Sequence, residues 1–119
     1  MSPAPKVAFF DFTSCEGCQL TVVDALQTHP ELLEVVEIVQ FREAMSEKGE
    51  DYAIAFVEGS CSRQSDEARL VKIREQADIL VALGACAHLG GVNTIRNRQD
   101  LTDVRKFVYQ DKYDWYETY

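Results

Sequence analysis

The chain of 119 residues lacks the features of membrane and secreted proteins. No apolar run approaches the ~20 residues that a membrane-spanning helix needs. The first residues show no basic region followed by an apolar stretch, so no secretory signal is visible. Basic residues are also scarce, because 12 Lys and Arg stand against 20 Asp and Glu. The net charge of -8 disfavours binding to nucleic acid or anionic lipid, since both need a basic patch.

Cysteine is rare too, and its four positions are Cys15, Cys18, Cys61 and Cys86. Disulfide bonds stabilise mainly small secreted domains, whereas this sequence has the apolar content of a hydrophobic core and no secretory signal. We therefore predict metal ligands or a redox pair. Thiolates select iron–sulfur clusters, zinc or copper(I), and four cysteines suit a cubane cluster and a tetrahedral zinc equally well. A thioredoxin-like CxxC pair and simple buried cysteines, at Cys61 and Cys86, stay open as alternatives.

Short apolar runs alternate with helical patterns along the chain. The runs predict four buried strands, at 6–12, 34–41, 52–57 and 79–83. Helices are predicted after the CxxC pair, over 62–77 with Ser62 as N-cap and an apolar stripe, and over 92–97 and 102–108. This alternation predicts an α/β fold, a flavodoxin-like three-layer sandwich with a mostly parallel sheet, in a single domain over 1–119.

The cysteines follow predicted strands. Cys15 and Cys18 come after the first strand, Cys61 after the third and Cys86 after the fourth. Because the carboxyl ends of parallel strands lie at one edge of a sheet, all four thiols could converge there despite their separation along the chain. The sequence therefore predicts a thiolate site at this edge.

Three motifs at these positions resemble a known family: FTSCEGCQLTVVD after the first strand, VEGSCS after the third and ALGACAHLGG after the fourth. Over roughly 6–98 the chain resembles the small subunit of [NiFe]-hydrogenases. It is closest to the soluble, cytoplasmic kind in NAD-, F420- or sulfur-linked enzymes. It is more distantly similar to the 20 kDa iron–sulfur subunit of NADH:quinone oxidoreductase. Those relatives carry adjacent cysteines, so the spacing of Cys15 and Cys18 favours the hydrogenase side.

The resemblance implies that Cys15, Cys18 and Cys86 are ligands of a 4Fe–4S cluster. Glu58 matches a family acid near the cluster and the large-subunit interface, although it could also be a solvated carboxylate in a turn. His88 is not expected to be a ligand, because the cluster prefers thiolate.

The fourth ligand departs from the family pattern. The family takes it from a Gly-Cys-Pro motif well downstream of the third ligand, and that motif is missing from this sequence. Either Cys61, where relatives have Val or Ile, substitutes for it, or the chain stops at Tyr119, before the usual ligand. We favour the second explanation, truncation at the C-terminal end, because the family pattern is otherwise well kept. Cys61 is thus the weakest of the four candidates.

The function implied by the resemblance is electron transfer through the cluster, with no catalytic residue in this chain itself. The expected partners are a large catalytic [NiFe] subunit and flavin or iron–sulfur electron-acceptor subunits, and the expected location is the cytoplasm. Two alternatives stay open. One is a hydrogenase-like or quinone-reductase-like subunit whose partner lacks nickel, and the other is a zinc module that only mediates assembly. The sequence indicates neither the electron donor or acceptor nor the direction of electron flow.

Overall fold

Strands and helices alternate along the chain, as the sequence predicts. The computed structural model describes residues 3–46 and 49–116. No helix in these two ranges has the length and apolar character that crossing a membrane requires. The elements are β1 (Lys6–Asp11), α1 (Gly17–Thr28), β2 (Glu37–Phe41), β3 (Ile54–Glu58), α2 (Gln64–Gln76), β4 (Ile79–Leu83), α3 (Ala85–Leu89) and α4 (Leu101–Tyr109), with 3-10 helices at Pro30–Glu34, Gly91–Arg98 and Gln110–Trp115.

The four strands form one parallel sheet in the order β2-β1-β3-β4. The pairing register sets Asp11 beside Glu58, and Glu58 beside Leu83. The carboxyl ends of β1, β3 and β4 are therefore level at one edge of the sheet. This topology confirms the predicted α/β fold of the flavodoxin-like kind.

Apolar side chains cover both faces of the sheet, because successive strand residues point to opposite sides. On one face Phe10 and Ala55 pack with Ile73 and Ala77 of the α2 segment. On the other face Phe9 and Phe41, whose rings meet edge to face at 4.2 Å, pack with residues of α1. The sheet therefore lies between two helical layers, and the predicted three-layer sandwich is confirmed.

The predicted boundaries shift at several elements. β2 begins at Glu37 instead of residue 34, because Pro30 starts a 3-10 helix that occupies Pro30–Glu34. The third strand is displaced towards the carboxyl end, to Ile54–Glu58. The segment predicted as a helix over 92–97 is a 3-10 helix instead. The fourth strand and the helix near 102–108 are confirmed within one residue.

The start of α2 differs from the prediction, since Arg63 and not Ser62 is the N-cap residue. The carboxylate of Asp66, which is 2% exposed, accepts hydrogen bonds from the backbone N–H groups of Ser62 (3.1 Å) and Arg63 (3.2 Å). Burial alone would raise the pKa of Asp66. These hydrogen bonds and the Arg63 guanidinium, 3.2 Å away, outweigh burial and hold the pKa below its ordinary value.

The C-terminal helices pack mainly on each other and not on the strands of the sheet. α4 packs mainly on the 3-10 helix Gln110–Trp115, and Phe107 on α4 is 86% exposed. The radius of gyration is 16.8 Å, whereas a compact chain of this length is expected near 13.5 Å, roughly. This pair of helices therefore leaves a large apolar surface in solvent. Tyr119 lies outside the described residues.

We expect Asp66→Ala to lower the free energy of unfolding by about 1 to 2 kcal/mol at neutral pH, because α2 loses its cap. Since folding lowers the pKa of Asp66, its stabilisation is present above the unfolded value of 3.8 and is lost as the pH falls through the folded value. The difference in the free energy of unfolding between Asp66→Ala and wild type should therefore narrow in acid. Urea unfolding at several pH values measures it. Glu67→Ala, an exposed neighbour, is the control, and equal losses in both variants would contradict the prediction.

Candidate metal centre

The CxxC pair lies where the chain passes from β1 into α1. Glu16, between the two cysteines, adopts a left-handed φ of 64°, and α1 then begins at Gly17. Cys15 is exposed just before the helix, whereas Cys18 is partly buried in its first turn. The turn between the cysteines thus places both thiols at the carboxyl edge of the sheet.

Cys86 reaches the same edge from β4. Gly84 follows the strand with a φ of 85°, a conformation that side chains disfavour, and α3 begins at the next residue. Cys86 therefore lies in the first turn of a short helix, partly buried. The cysteine segments after β1 and β4 share one arrangement, in which a residue with a positive φ precedes a helix that carries a thiol.

Hydrogen bonds connect the loops that carry these cysteines. Thr13 and Ser60 form an antiparallel bridge between the ends of β1 and β3. The Ser60 hydroxyl donates to the Cys86 carbonyl at 2.9 Å. The Asn93 amide donates to the Thr13 carbonyl at 2.9 Å and to the Ser60 hydroxyl at 3.1 Å. Ser60 and Asn93 thus hold three loops together, and no pattern in the sequence identifies them.

The thiols of Cys15, Cys18 and Cys86 face regions where glycine leaves space. A Cβ atom added at Gly84 would overlap the Cys18 sulfur, and one added at Gly91 would lie 3.3 Å from the Cys86 sulfur. A Cβ atom added at Gly17 would lie 3.3 Å from the Cys15 sulfur. Gly84 directly follows β4, so the Cys18 thiol lies against the segment that leads to Cys86.

The acidic groups at this edge affect one another. Burial raises the pKa of the Cys18 thiol, and the negative charges of Glu58, Cys15 and Cys86 raise it further. This repulsion means that the three thiolates are unfavourable neighbours without a compensating cation. A bound metal reverses the effect, since a coordinating thiol is deprotonated. The donor set therefore has the chemistry of a metal or cluster site.

Glu58 lies beneath the cysteines as a buried carboxylate with 2% exposure, so its interpretation as a solvated turn residue is wrong. Its Oε1 accepts a hydrogen bond from the backbone N–H of Cys18 at 3.2 Å. Its Oε2 has no hydrogen-bond partner within the described part of the chain. Glu58 therefore contacts the first turn of α1 directly.

Cys61 is not brought to the other thiols. It packs at the margin of the core between the sheet and α2, against the cluster that contains Phe10 and Ile73. Burial raises its pKa, followed by the charges of Asp66 and Glu67. The charges that act on Cys61 thus belong to α2, while those that act on Cys18 belong to the edge site.

Three other side chains complete the description of this region. His88 is exposed on α3, and His29 is exposed with its ring nitrogen 3.1 Å from Glu31. Gln19, next to Cys18, is only 1% exposed, and neither polar atom of its amide has a partner in the residues described. The sequence analysis did not identify Gln19. Its position was a visible signal, because Gln19 lies three residues before Val22 and four before Val23, which places a polar side chain on the apolar face of α1.

Cys15, Cys18 and Cys86 are neighbours at the edge, but they do not form a ligand set for a single metal ion. Across 3–46 and 49–116, no three His, Cys, Asp or Glu side chains are close enough to share one metal ion. In a cubane cluster each thiolate binds a different iron, so the ligands stand further apart than around a single ion. Each of the three sulfurs, of Cys15, Cys18 and Cys86, packs against a glycine, and soft thiolates are the donors that such a cluster prefers.

Comparison with known proteins gives consistent relatives. The NAD-reducing hydrogenase HoxS subunit delta of Cupriavidus necator is 38% identical over 87% of this chain and 50% of its own length. The sulfhydrogenase 2 subunit delta of Pyrococcus furiosus is 36% identical over 76% of this chain and 38% of its own length. The chain thus spans half or less of the length of these relatives.

A solved structure and a family description agree with these relatives. A chain in the crystal structure of an NAD+-reducing [NiFe]-hydrogenase in the H2-reduced state superposes with a TM-score of 0.80 and 26% identity. The match covers 89% of this chain and 60% of that one. The family described as the NADH ubiquinone oxidoreductase 20 kDa subunit matches residues 15–116. The sequence resemblance is therefore confirmed, and the chain belongs to this family as a relative of [NiFe]-hydrogenase small subunits.

Proposed function

We propose that this chain transfers electrons through a 4Fe–4S cluster as the small subunit of a cytoplasmic hydrogenase-type complex. The observation that carries the proposal is the convergence of Cys15, Cys18 and Cys86 from two loops at one edge of the sheet. The hydrogenase delta subunits among its relatives support the type of complex. The cluster, when bound, supplies one-electron chemistry.

The residues of this chain would hold and shield that group. Cys15, Cys18 and Cys86 would each provide a thiolate, and Gly84 and Gly91 leave room for the sulfurs of Cys18 and Cys86. The buried carboxylate of Glu58 and the packed face of α1 would limit water on the inner side. In this proposal the hydrogen chemistry belongs to a partner, and this chain has no role in it.

Exposed apolar residues on the cysteine-bearing segments support a partner at this edge. Leu20 on α1 is 53% exposed, Leu89 on α3 is 71% exposed, and Val92 and Ile95 after it are 69% and 62% exposed. Such residues commonly mark an interaction surface when they recur in one region. We assign this surface to a large catalytic [NiFe] subunit, with flavin or iron–sulfur acceptor subunits beyond it.

The fourth ligand in this proposal is not Cys61, because Cys61 packs towards α2. It comes from outside the described residues. A hydrogenase-like complex whose partner lacks nickel would use the same three thiolates, and the cysteine content of the partner subunit distinguishes that case. A zinc module that only mediates assembly is distinguished by metal analysis.

Cys15→Ser, Cys18→Ser or Cys86→Ser should each remove most of the bound iron, because a hydroxyl replaces thiolate poorly as a ligand for iron. The protein is purified without oxygen, together with the subunits that accompany it. Iron and sulfide analysis and the EPR spectrum of the reduced protein measure the loss. Zinc in place of iron in the wild type would overturn the proposal, and so would full iron content in all three variants.

Cys61→Ala should keep a four-iron EPR signal, because its sulfur lies at the core margin and not at the edge site. We expect only a loss of stability of about 1 kcal/mol, typical for removing a small buried group. Conversion to a three-iron signal would show instead that Cys61 is a cluster ligand.

Gly84→Ala should lower the iron content, because its Cβ would displace the Cys18 sulfur. The matched control is Gly90→Ala. The φ of 84° at Gly90 is nearly that of Gly84, but its Cβ would meet only the Thr94 methyl group. Both variants should lose stability, by about 1 to 3 kcal/mol, because Ala disfavours a positive φ, and Gly84, with a ψ of 170°, should lose more than Gly90. Equal iron content in the two variants would show that the contact with Cys18 is unimportant.

A further inference from the structure

The helix that carries Cys18 begins without a cap from its own sequence. Its N-cap residue, Glu16, is left-handed and makes no side-chain hydrogen bond to the helix, and its first turn holds no acidic residue. The N–H groups of a first helical turn lack partners within the helix and need a partner from elsewhere. In α2 that partner is local, since Asp66 lies within the helix it caps.

Glu58 supplies the missing partner from 40 positions further along the chain. It is the last residue of β3, and alternation places its side chain on the α1 face together with Phe56. Its Oε1 lies 3.2 Å from the Cys18 backbone nitrogen, at the second residue of α1. A carboxylate is also favoured there by the partial positive charge of a helix N-terminus.

Asp11, the neighbouring carboxylate in the sheet, does not cap α1. Asp11 pairs with Glu58 in the sheet register, but its Oδ2 lies 3.3 Å from the Arg42 guanidinium. The charge of Asp11 is therefore compensated on the β2 side. Glu58 forms no ion pair with a cation in the described ranges, and its second oxygen is buried there without a hydrogen bond.

The position of Glu58 relates Cys18 to Cys86. Glu58 pairs directly with Leu83, the last residue of β4, and Gly84 and Cys86 follow shortly. One hydrogen bond thus ties the Cys18 backbone to the strand that is in register with the Cys86 segment. This contact therefore restrains the Cys18 backbone relative to the strand end that leads to Cys86.

We infer that Glu58 is a positioning residue for the cluster: it holds the Cys18 backbone at a fixed distance from Cys86, and its buried charge lowers the reduction potential. The inference rests on the proposed function and deepens it. The charge effect has a definite sign, because reduction adds negative charge beside a carboxylate. Removing the charge therefore raises the potential, while removing the hydrogen bond loosens the site.

Two substitutions separate these effects in the full chain, purified without oxygen with its accompanying subunits. Glu58→Gln keeps an acceptor oxygen but removes the charge, so it should retain iron and shift the reduction potential upwards in an EPR-monitored titration. Glu58→Ala removes both, so it should also lose iron or broaden the EPR spectrum. The control is Asp66→Asn, which alters an equally buried carboxylate, also 2% exposed, that caps the other helix. It should change stability and leave the potential unchanged.

Hydrogen exchange of the Cys18 amide supplies a readout that does not depend on the cluster. Glu58→Ala should accelerate it by about tenfold, corresponding to one hydrogen bond, and Glu58→Gln should restore most of the protection. The inference is overturned if the potential of Glu58→Gln equals that of wild type, or if exchange in Glu58→Ala is unchanged. A wild-type protein without iron would overturn the proposed function and the effect on potential, while the exchange rates would still decide whether Glu58 holds Cys18.

Discussion

Parallel pairing of β1, β3 and β4 keeps the ends of the three strands level, and every feature of the edge site depends on this alignment. The register places Asp11, Glu58 and Leu83 in one row. The cysteine-bearing loops leave the sheet just beyond that row, so their thiols meet even though the strands are distant in sequence. A shift of one residue would move each side chain to the opposite face. The two apolar cores prevent such a shift, because each strand has side chains committed to both.

The site also concentrates negative charge in a chain that is already acidic, with a net charge of -8. Cys15, Cys18, Cys86 and Glu58 all belong to one electrostatic group. Folding alone does not favour such a group, since the charges of Glu58, Cys15 and Cys86 raise the pKa of Cys18. This electrostatic repulsion remains uncompensated at the edge site, whereas Asp66 in α2 has cationic and backbone partners that stabilise its charge.

Much of the fold could be predicted because the signals are local. The run Ile79–Leu83 is apolar and bounded by polar and glycine residues, and it is a strand over the predicted residues. The contacts made between distant residues could not be predicted. Nothing near Glu58 in the sequence indicates that it caps α1, and nothing near Cys61 indicates that it turns towards α2. Gly59, with a φ of 93°, turns the chain two residues before Cys61, and such a turn has no unique pattern. The domain boundary at 1–119 remains a prediction.

The order of the strands has a consequence for how the protein matures. β3 and β4 must pair in parallel across the α2 crossover before Cys86 can approach Cys18, and pairing of distant strands is slow compared with local helix formation. During synthesis the CxxC pair leaves the ribosome long before Cys86 does. A metal ion captured at that stage would find only two thiols. Under the proposed function, assembly of a complete centre would have to wait for the sheet, and delivery of iron and sulfide to the finished fold would avoid trapping the wrong ion.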